Sequence, residues 1–192
     1  MKTFLTALLT CALLTLSGCL SYSHHDLALV KQWPPAAPLA HKQSAYMKVD
    51  TQFLFNGKNR AGHVNQAALD NHILQQYQSS ERFSDVTLTK QASDLYINVR
   101  ISNNELGNMA SAFITGFTLF VIPGKYSNEI TMETVFKDGT GNVLGRIEKR
   151  ETITTWMQLF LIVAVPFNAS TDNILTQLTQ SSLEEAARQK LI

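Results

Sequence analysis

Apolar and polar side chains alternate along much of the chain, and this pattern predicts its strands. An apolar side chain at every second position is the period of a half-buried β-strand. Five strands are predicted, at residues 46–55, 83–89, 95–101, 129–137 and 143–155, and the alternation is clear in the first, third and fourth of them. The last two flank residues 138–142, Asp-Gly-Thr-Gly-Asn, which are typical turn residues. We therefore expect a β-hairpin there.

Apolar side chains at helical spacing predict two helices, at residues 64–77 and 171–190. Ser170 or Thr171 can cap the second helix, which has an acidic residue in its first turn and a basic one in its last. The order is β-α-β-β, an apolar segment, β-β, a second apolar segment and α. It predicts an α+β fold, a two-layer sandwich in which two helices pack on one face of a mostly antiparallel sheet.

Residues 106–124 and 152–171 are uncharged segments of about 20 residues, near the length of a transmembrane helix. Polar side chains and the prolines Pro123 and Pro166 weigh against two spanning helices. A second interpretation is a pair of buried β segments. A third is a shallow lobe that contacts a membrane or partner through aromatic side chains. The candidate contact residues are Phe113, Phe117, Phe120, Trp156 and Phe160.

The N-terminus has the pattern of a secretory signal. Lys2 precedes an apolar run over residues 4–16, which is too short for a bilayer span of about 20 residues. An ordinary cleaved signal or an N-terminal membrane anchor are the alternatives. Residues 16–19, Leu-Ser-Gly-Cys, resemble the lipobox of bacterial lipoproteins. The resemblance implies that residues 1–18 are removed and that Cys19 carries a diacylglyceryl group. Leu20, where inner-membrane lipoproteins of enterobacteria have Asp, implies the periplasmic leaflet of the outer membrane, with the inner membrane as alternative.

Residues 19–45 are predicted to be a flexible tether between the lipid and a single domain at residues 46–192. The tether has no apolar period, and its proline cluster favours extended backbone. About 25 extended residues span about 80 Å, so this prediction lets the domain stand away from the membrane.

The two apolar segments also resemble those of a group of uncharacterised Gram-negative lipoproteins. Residues 116–123 are Gly-Phe-Thr-Leu-Phe-Val-Ile-Pro, residues 156–160 are Trp-Met-Gln-Leu-Phe, and residues 165–167 are Val-Pro-Phe. In that group similar segments bracket a β-hairpin behind a lipobox. The resemblance implies an envelope location and this architecture, and it implies no activity.

The amino-acid composition argues against several classes of function. Lys and Arg number 16 and Asp and Glu 15, and removal of a leader that contains Lys2 balances the two signs. A balanced charge without a basic cluster argues against nucleic-acid partners and against electrostatic docking to acidic lipids. Cys19 is the only cysteine of the predicted mature chain, so no disulfide framework is expected.

Candidate chemistry is sparse. No Gly-x-Ser-x-Gly elbow occurs, and His24-His25-Asp26 is a weak metal-ligand pattern. His72 is interpreted as a core histidine, residues 138–142 as a turn rather than a calcium loop, and residues 146–151 as a solvated charged strand face. We expect no catalytic residue, metal or cofactor. The predicted function is a non-enzymatic, lipid-anchored envelope protein that binds or braces another envelope component. The alternatives are a periplasmic carrier of an apolar ligand and a membrane protein whose two apolar segments enter the bilayer.

Overall fold

The computed structural model describes residues 18–34, 42–158, 161 and 170–192. Described strands and helices follow one another as β1 (Gly18–Ser23), β2 (Gln43–Phe55), β3 (Lys58–Asn59), α1 (Gln66–Ser79), β4 (Phe83–Thr87), β5 (Leu95–Leu106), α2 (Met109–Phe117), β6 (Gly124–Asp138), β7 (Val143–Gln158) and α3 (Thr171–Arg188). The predicted α+β class is confirmed. All five predicted strands and both predicted helices are present, whereas β1, β3 and α2 were not predicted.

The seven described strands form one sheet in the order β1-β7-β6-β5-β2-β3, and β4 pairs with the start of β2 while β3 pairs with its end. Pairs along β1-β7-β6-β5 are antiparallel, while β2 runs parallel to β5 and to β4. The parallel pairs follow from α1, which carries the chain back across the sheet between β2 and β4. The sheet is therefore mixed but mostly antiparallel.

The helices α1 and α3 pack together on one face of the sheet. His72 on α1 bonds to the Thr176 hydroxyl on α3 at 3.0 Å, and it is half-buried between the helices rather than in the core as predicted. The Ser182 hydroxyl of α3 donates to that of Thr134 on β6 at 3.2 Å. Between these layers lies the core, whose largest fully buried apolar side chains are Tyr77, Phe136, Met47, Ile73, Leu95, Ile97, Met132, Leu178 and Leu183.

The N-terminal strand β1 corrects the prediction of a flexible tether over residues 19–45. It pairs with β7 over six residues, from Gly18 opposite Gln158 to Ser23 opposite Ile153. The chain then crosses the helical layer, where Leu27 and Trp33 pack against the core. Sequence alone missed this because β1 is short and its partner lies 130 residues away. Residues 35–41 of the predicted tether lie outside the described residues.

Buried Glu151 holds this N-terminal segment in place. Its carboxylate is fully buried and accepts hydrogen bonds from the Ser23 hydroxyl at 2.5 Å and from the backbone N–H groups of Asp26 at 3.4 Å and Leu27 at 3.1 Å. The prediction that residues 146–151 form a solvated face is therefore wrong at this position. Arg146, Glu148 and Arg150 do lie on the open face, because alternate residues of β7 point to opposite sides.

Candidate functional site at the apolar end of the sheet

Four strand ends meet at one end of the sheet. Cys19 near the start of β1 lies opposite Met157 of β7, which in turn lies opposite Gly124 at the start of β6. The end of β5, at Leu106, lies on the far side of β6. Residues opposite each other in antiparallel strands point to the same face, so the exposed Cys19 side chain points to the face that carries the helices.

Helix α2 connects β5 to β6 at this end. Its start is fixed by Asn108, whose Oδ1 accepts hydrogen bonds from the N–H groups of Ala110 at 2.8 Å and Ser111 at 3.4 Å. Its end is fixed by Thr118, whose hydroxyl donates to the Ile114 carbonyl at 2.9 Å and accepts from the N–H of Ile122 at 3.2 Å. These local bonds satisfy the backbone of a helix of nine residues without a covering partner.

Contact between α2 and the sheet is close but narrow. Thr115 is the one buried residue of the helix, and it lies against Gly124, where a side chain would not fit. A Cβ atom at Gly124 would come within 2.7 Å of the Thr115 Oγ1. Glycine at this strand start therefore permits the approach of the helix.

Most other apolar side chains of this region face outwards. Phe113 is 71% exposed and Phe117 81% exposed, and their rings stack with centroids 6.1 Å apart. We define residues 109–122 as the apolar lobe. Its further exposed apolar side chains are Met109, Ile114, Leu119, Val121 and Ile122. No charged residue occurs from Leu106 to Gly124.

The open face of the sheet carries an aromatic side chain at the same end. Trp156 is 36% exposed, and the Lys125 ammonium lies 5.7 Å from its ring centroid. Leu20 of β1 is opposite Trp156 on the other side. An aromatic ring with a flanking cation is typical of residues at a boundary between apolar and aqueous phases.

Between α2 and the sheet lies a cleft of about 260 Å³. Glu105 and Lys125 are the charged residues of its lining. The remaining lining is mostly apolar and includes Phe55, Met109, Ala112, Tyr126 and Met157. Met157 is also the pairing partner of Cys19, so the cleft opens beside the predicted lipidation site.

The predicted contact residues have three different environments. Phe113 and Phe117 are exposed in the apolar lobe, and Trp156 is exposed on the opposite face of the same sheet end. Phe120 is half-buried, and Phe160 lies outside the described residues. Sequence reasoning missed the exposed lobe residues Met109, Ile114, Leu119, Val121 and Ile122, although the uncharged run behind Asn108 contains them all.

The two uncharged segments have different structures. Three interpretations were open for residues 106–124: a spanning helix, a buried strand and a shallow contact lobe. The segment holds the short α2 and an exposed loop, which corrects the first two, whereas contact with a membrane or partner stays a prediction. Residues 152–158 belong to β7, where Ile153, Thr154 and Thr155 are buried, and most of residues 159–169 lie outside the described residues. Within the part of the chain that is described, no helix combines the length and apolarity needed to cross a bilayer.

The histidine pattern at residues 24–26 does not converge on a metal. His24 stacks on Tyr22 and bonds to the Thr154 hydroxyl at 2.8 Å, while Asp26 accepts a hydrogen bond from the backbone N–H of Thr152 at 3.1 Å. Across residues 18–34, 42–158, 161 and 170–192, no cluster of three or more His, Cys, Asp or Glu side chains could hold a metal ion.

Asp138 closes the hairpin at the other end of the sheet. Its Oδ1 accepts hydrogen bonds from the Thr140 hydroxyl at 2.6 Å and from the N–H groups of Thr140 and Asn142, both at 2.9 Å. These bonds, first among them that from the Thr140 hydroxyl, lower the pKa of Asp138 to about 2. The turn's own donors thus occupy the carboxylate, in agreement with the turn interpretation.

No protein-family model matches this chain, and no curated protein matches it. Among solved structures, a PelC dodecamer from Paraburkholderia phytofirmans aligns with 88% of this chain and 95% of its own, at 9% identity and a TM-score of 0.38. A point variant of that dodecamer aligns with 87% of this chain and 96% of its own, at 8% identity and a TM-score of 0.34.

Proposed function

We propose that this chain is a lipid-anchored, non-enzymatic protein of the bacterial envelope that binds or braces another envelope component. In this proposal Cys19 carries the acyl chains in the periplasmic leaflet of the outer membrane. The observation that carries the proposal is the position of Cys19. It is exposed at the start of an edge strand, at the end of the sheet where the uncharged apolar lobe is also exposed.

The way in which β1 is held supports this role. A lipid on a long flexible tether would leave the orientation of the domain free. In the mature chain the five paired residues from Cys19 to Ser23 and the buried Glu151 carboxylate fix this segment to the domain. Acyl chains on Cys19 would therefore hold this particular end of the sheet close to the membrane.

Labelling with radioactive palmitate in a Gram-negative host tests the anchor. We expect Cys19→Ser to abolish incorporation, because the thiol that receives the lipid is gone. Cys11→Ser is the matched control, since Cys11 lies in the predicted leader, and it should leave incorporation unchanged. Label retained in the Cys19→Ser protein contradicts the proposal.

The cleft beside α2 favours a second candidate function, the carriage of an apolar ligand. Its volume of about 260 Å³ and mostly apolar lining suit part of an acyl chain. Native mass spectrometry of the purified protein tests this candidate. A co-purified lipid that is lost in Ala112→Phe, which fills the cleft, supports carriage, whereas an empty protein in both forms contradicts it.

A further inference from the structure

We propose that the apolar lobe enters the lipid leaflet next to Cys19, so that the domain stands on the membrane with its strands end-on. This inference rests on the proposed function in one respect, since the acyl chains of Cys19 bring the lobe to the leaflet. It goes further in naming a second membrane contact, formed by protein side chains, and in fixing the orientation of the domain.

The lobe exposes more apolar surface than the fold requires. The core is complete without Phe113, Phe117 and Met109, which are all at least 70% exposed. The helix that carries them is fixed by local hydrogen bonds and by Thr115 against Gly124. A contiguous exposed apolar patch on a soluble domain is typical of a membrane or partner contact.

The geometry of the sheet places this patch beside the anchor. Cys19, Met157 and Gly124 lie in register on three adjacent strands. Adjacent strands are about 4.8 Å apart, so the backbone of Cys19 is about 10 Å from Gly124, where the lobe rejoins the sheet. This distance is shorter than an extended acyl chain, so the lipid and the lobe reach the same surface.

The distribution of charge favours lipid over a protein partner. The lobe offers no charged side chain from Leu106 to Gly124. The charged residues that flank this run in the chain, Glu105 and Lys125, belong to the strands β5 and β6. The Glu105 carboxylate is paired with Arg60 at 2.8 Å. Trp156 beside Lys125 gives the opposite face of the sheet an aromatic residue and a cation at the same level. This arrangement matches the headgroup layer of a bilayer.

The depth of the contact is limited by the length of α2. A helix of nine residues is about 13 Å long, and a bilayer core of about 30 Å is far beyond its reach. The lobe therefore inserts only among the headgroups and upper acyl chains, as interfacial helices do.

Thiol labelling of the acylated, full mature protein tests the inference. Phe113→Cys and Phe117→Cys place a thiol in the lobe, and Val143→Cys is the matched control, a 61% exposed apolar residue at the opposite end of the sheet. Each protein is reconstituted into vesicles of phosphatidylethanolamine and phosphatidylglycerol and treated with a membrane-impermeant maleimide. We expect labelling at least about tenfold slower at 113 and 117 than at 143, since interfacial side chains lie about 5–10 Å into the leaflet.

A second readout uses a fluorophore on the same thiols and lipids with a nitroxide on the acyl chain. Quenching at 113 and 117 but not at 143 supports insertion. Equal labelling rates at all three positions, without quenching, overturn the inference. Protection of 113 and 117 in native envelopes but not in pure lipid vesicles also overturns it, in favour of a protein partner.

Failure of the anchor has a different signature. If Cys19 is not acylated, the parent protein itself reacts with the maleimide and its mass lacks the lipid. Vesicle binding with protection at 113 would then still support the lobe contact, and loss of vesicle binding would overturn it together with the proposed function.

Discussion

The two ends of the β-sheet connect adjacent antiparallel strands with segments of opposite polarity. At the hairpin end, β6 and β7 are joined by a polar turn in which Asp138 accepts the free N–H and hydroxyl donors. At the end that holds Cys19, β5 and β6 are joined by the apolar lobe, which leaves Phe113 and Phe117 in solvent. Local hydrogen bonds cap both connections, although the buried Thr115 hydroxyl of the lobe has no hydrogen-bond partner among the described residues. Only the hairpin turn also presents polar side chains to water.

The difference distinguishes residues that stabilise the fold from exposed residues that are available for binding. A polar turn such as residues 138–142 is sufficient to connect two antiparallel strands. The lobe uses a helix and a loop for the same task and buries little apolar surface by doing so. Folding therefore does not explain its composition, and this is the reason why we propose that the lobe contacts an apolar phase.

Removal of the Glu151 carboxylate is expected to have the largest effect on stability, because it frees the strand that carries Cys19. Glu151→Ala leaves the half-buried hydroxyl of Ser23 and the N–H of Leu27 without their acceptor. We expect a loss of about 3 kcal/mol in the free energy of unfolding, the upper end for buried donors left unpaired. Urea unfolding and hydrogen exchange of β1 measure it.

Glu148→Ala is the matched control for this variant, on the same strand but on the open face. Glu148 is half exposed and paired with Arg150 at 3.3 Å, so its loss should change the free energy of unfolding by less than about 0.5 kcal/mol. Equal effects of the two substitutions would show that Glu151 does not hold β1.

Substitutions at two glycines test how α2 packs against the sheet. Gly124→Ala pushes a methyl group against Thr115 and should lift α2 from the sheet, at a cost of about 1–2 kcal/mol. Gly116→Ala meets nothing within 4 Å in the last turn of α2 and should stabilise the helix by about 0.5 kcal/mol. Thermal unfolding measures both changes, and a shift of the same sign for the two variants would contradict this packing of α2.

The smallest effect is expected at the hairpin end, through pH. The pKa of Asp138 is about 2 in the folded protein, below its ordinary value of 3.8. The carboxylate therefore contributes stability above about pH 4, and this contribution is lost as the pH falls through about 2. Titration of the Asp138 carboxyl carbon by NMR measures the pKa.

Thr140→Val is the matched variant for this titration. It removes the hydroxyl that contributes most to the lowered pKa and should raise the pKa towards its ordinary value. An unchanged pKa in this variant would contradict the role of the turn. Membrane protection of the lobe at neutral pH should be the same in the variant and the parent protein, since the two ends are separate.

Much of the fold could be predicted from local patterns. The alternation in β5 and β6 and the helical stripes of α1 and α3 appear in the sequence because each element buries one face. β1 and Glu151 could not be predicted in this way. A six-residue strand and a buried carboxylate in a charged run depend on partners more than 120 residues away.

The candidate site was predictable in part. The uncharged run at residues 106–124 indicates an unusual surface or core segment. Of its predicted contact residues and those of the second segment, Phe113, Phe117 and Trp156 are exposed, while their contact with a membrane or partner stays a prediction. The sequence could not separate buried strand from exposed lobe, because apolar composition is the same in both. Phe120 shows the limit, since its neighbours are exposed and it is half-buried.

By itself the sequence determined the α+β class, most of the elements, and a lipobox-like Cys19 at the start of the predicted mature chain. Only the tertiary structure decided where that cysteine lies. The pairing of β1 with β7 brings Cys19 into register with Gly124 and thus to the same end as the apolar lobe. The physical reason is that strand pairing joins residues far apart in the chain through backbone hydrogen bonds, which depend little on side-chain identity and leave no local pattern to read.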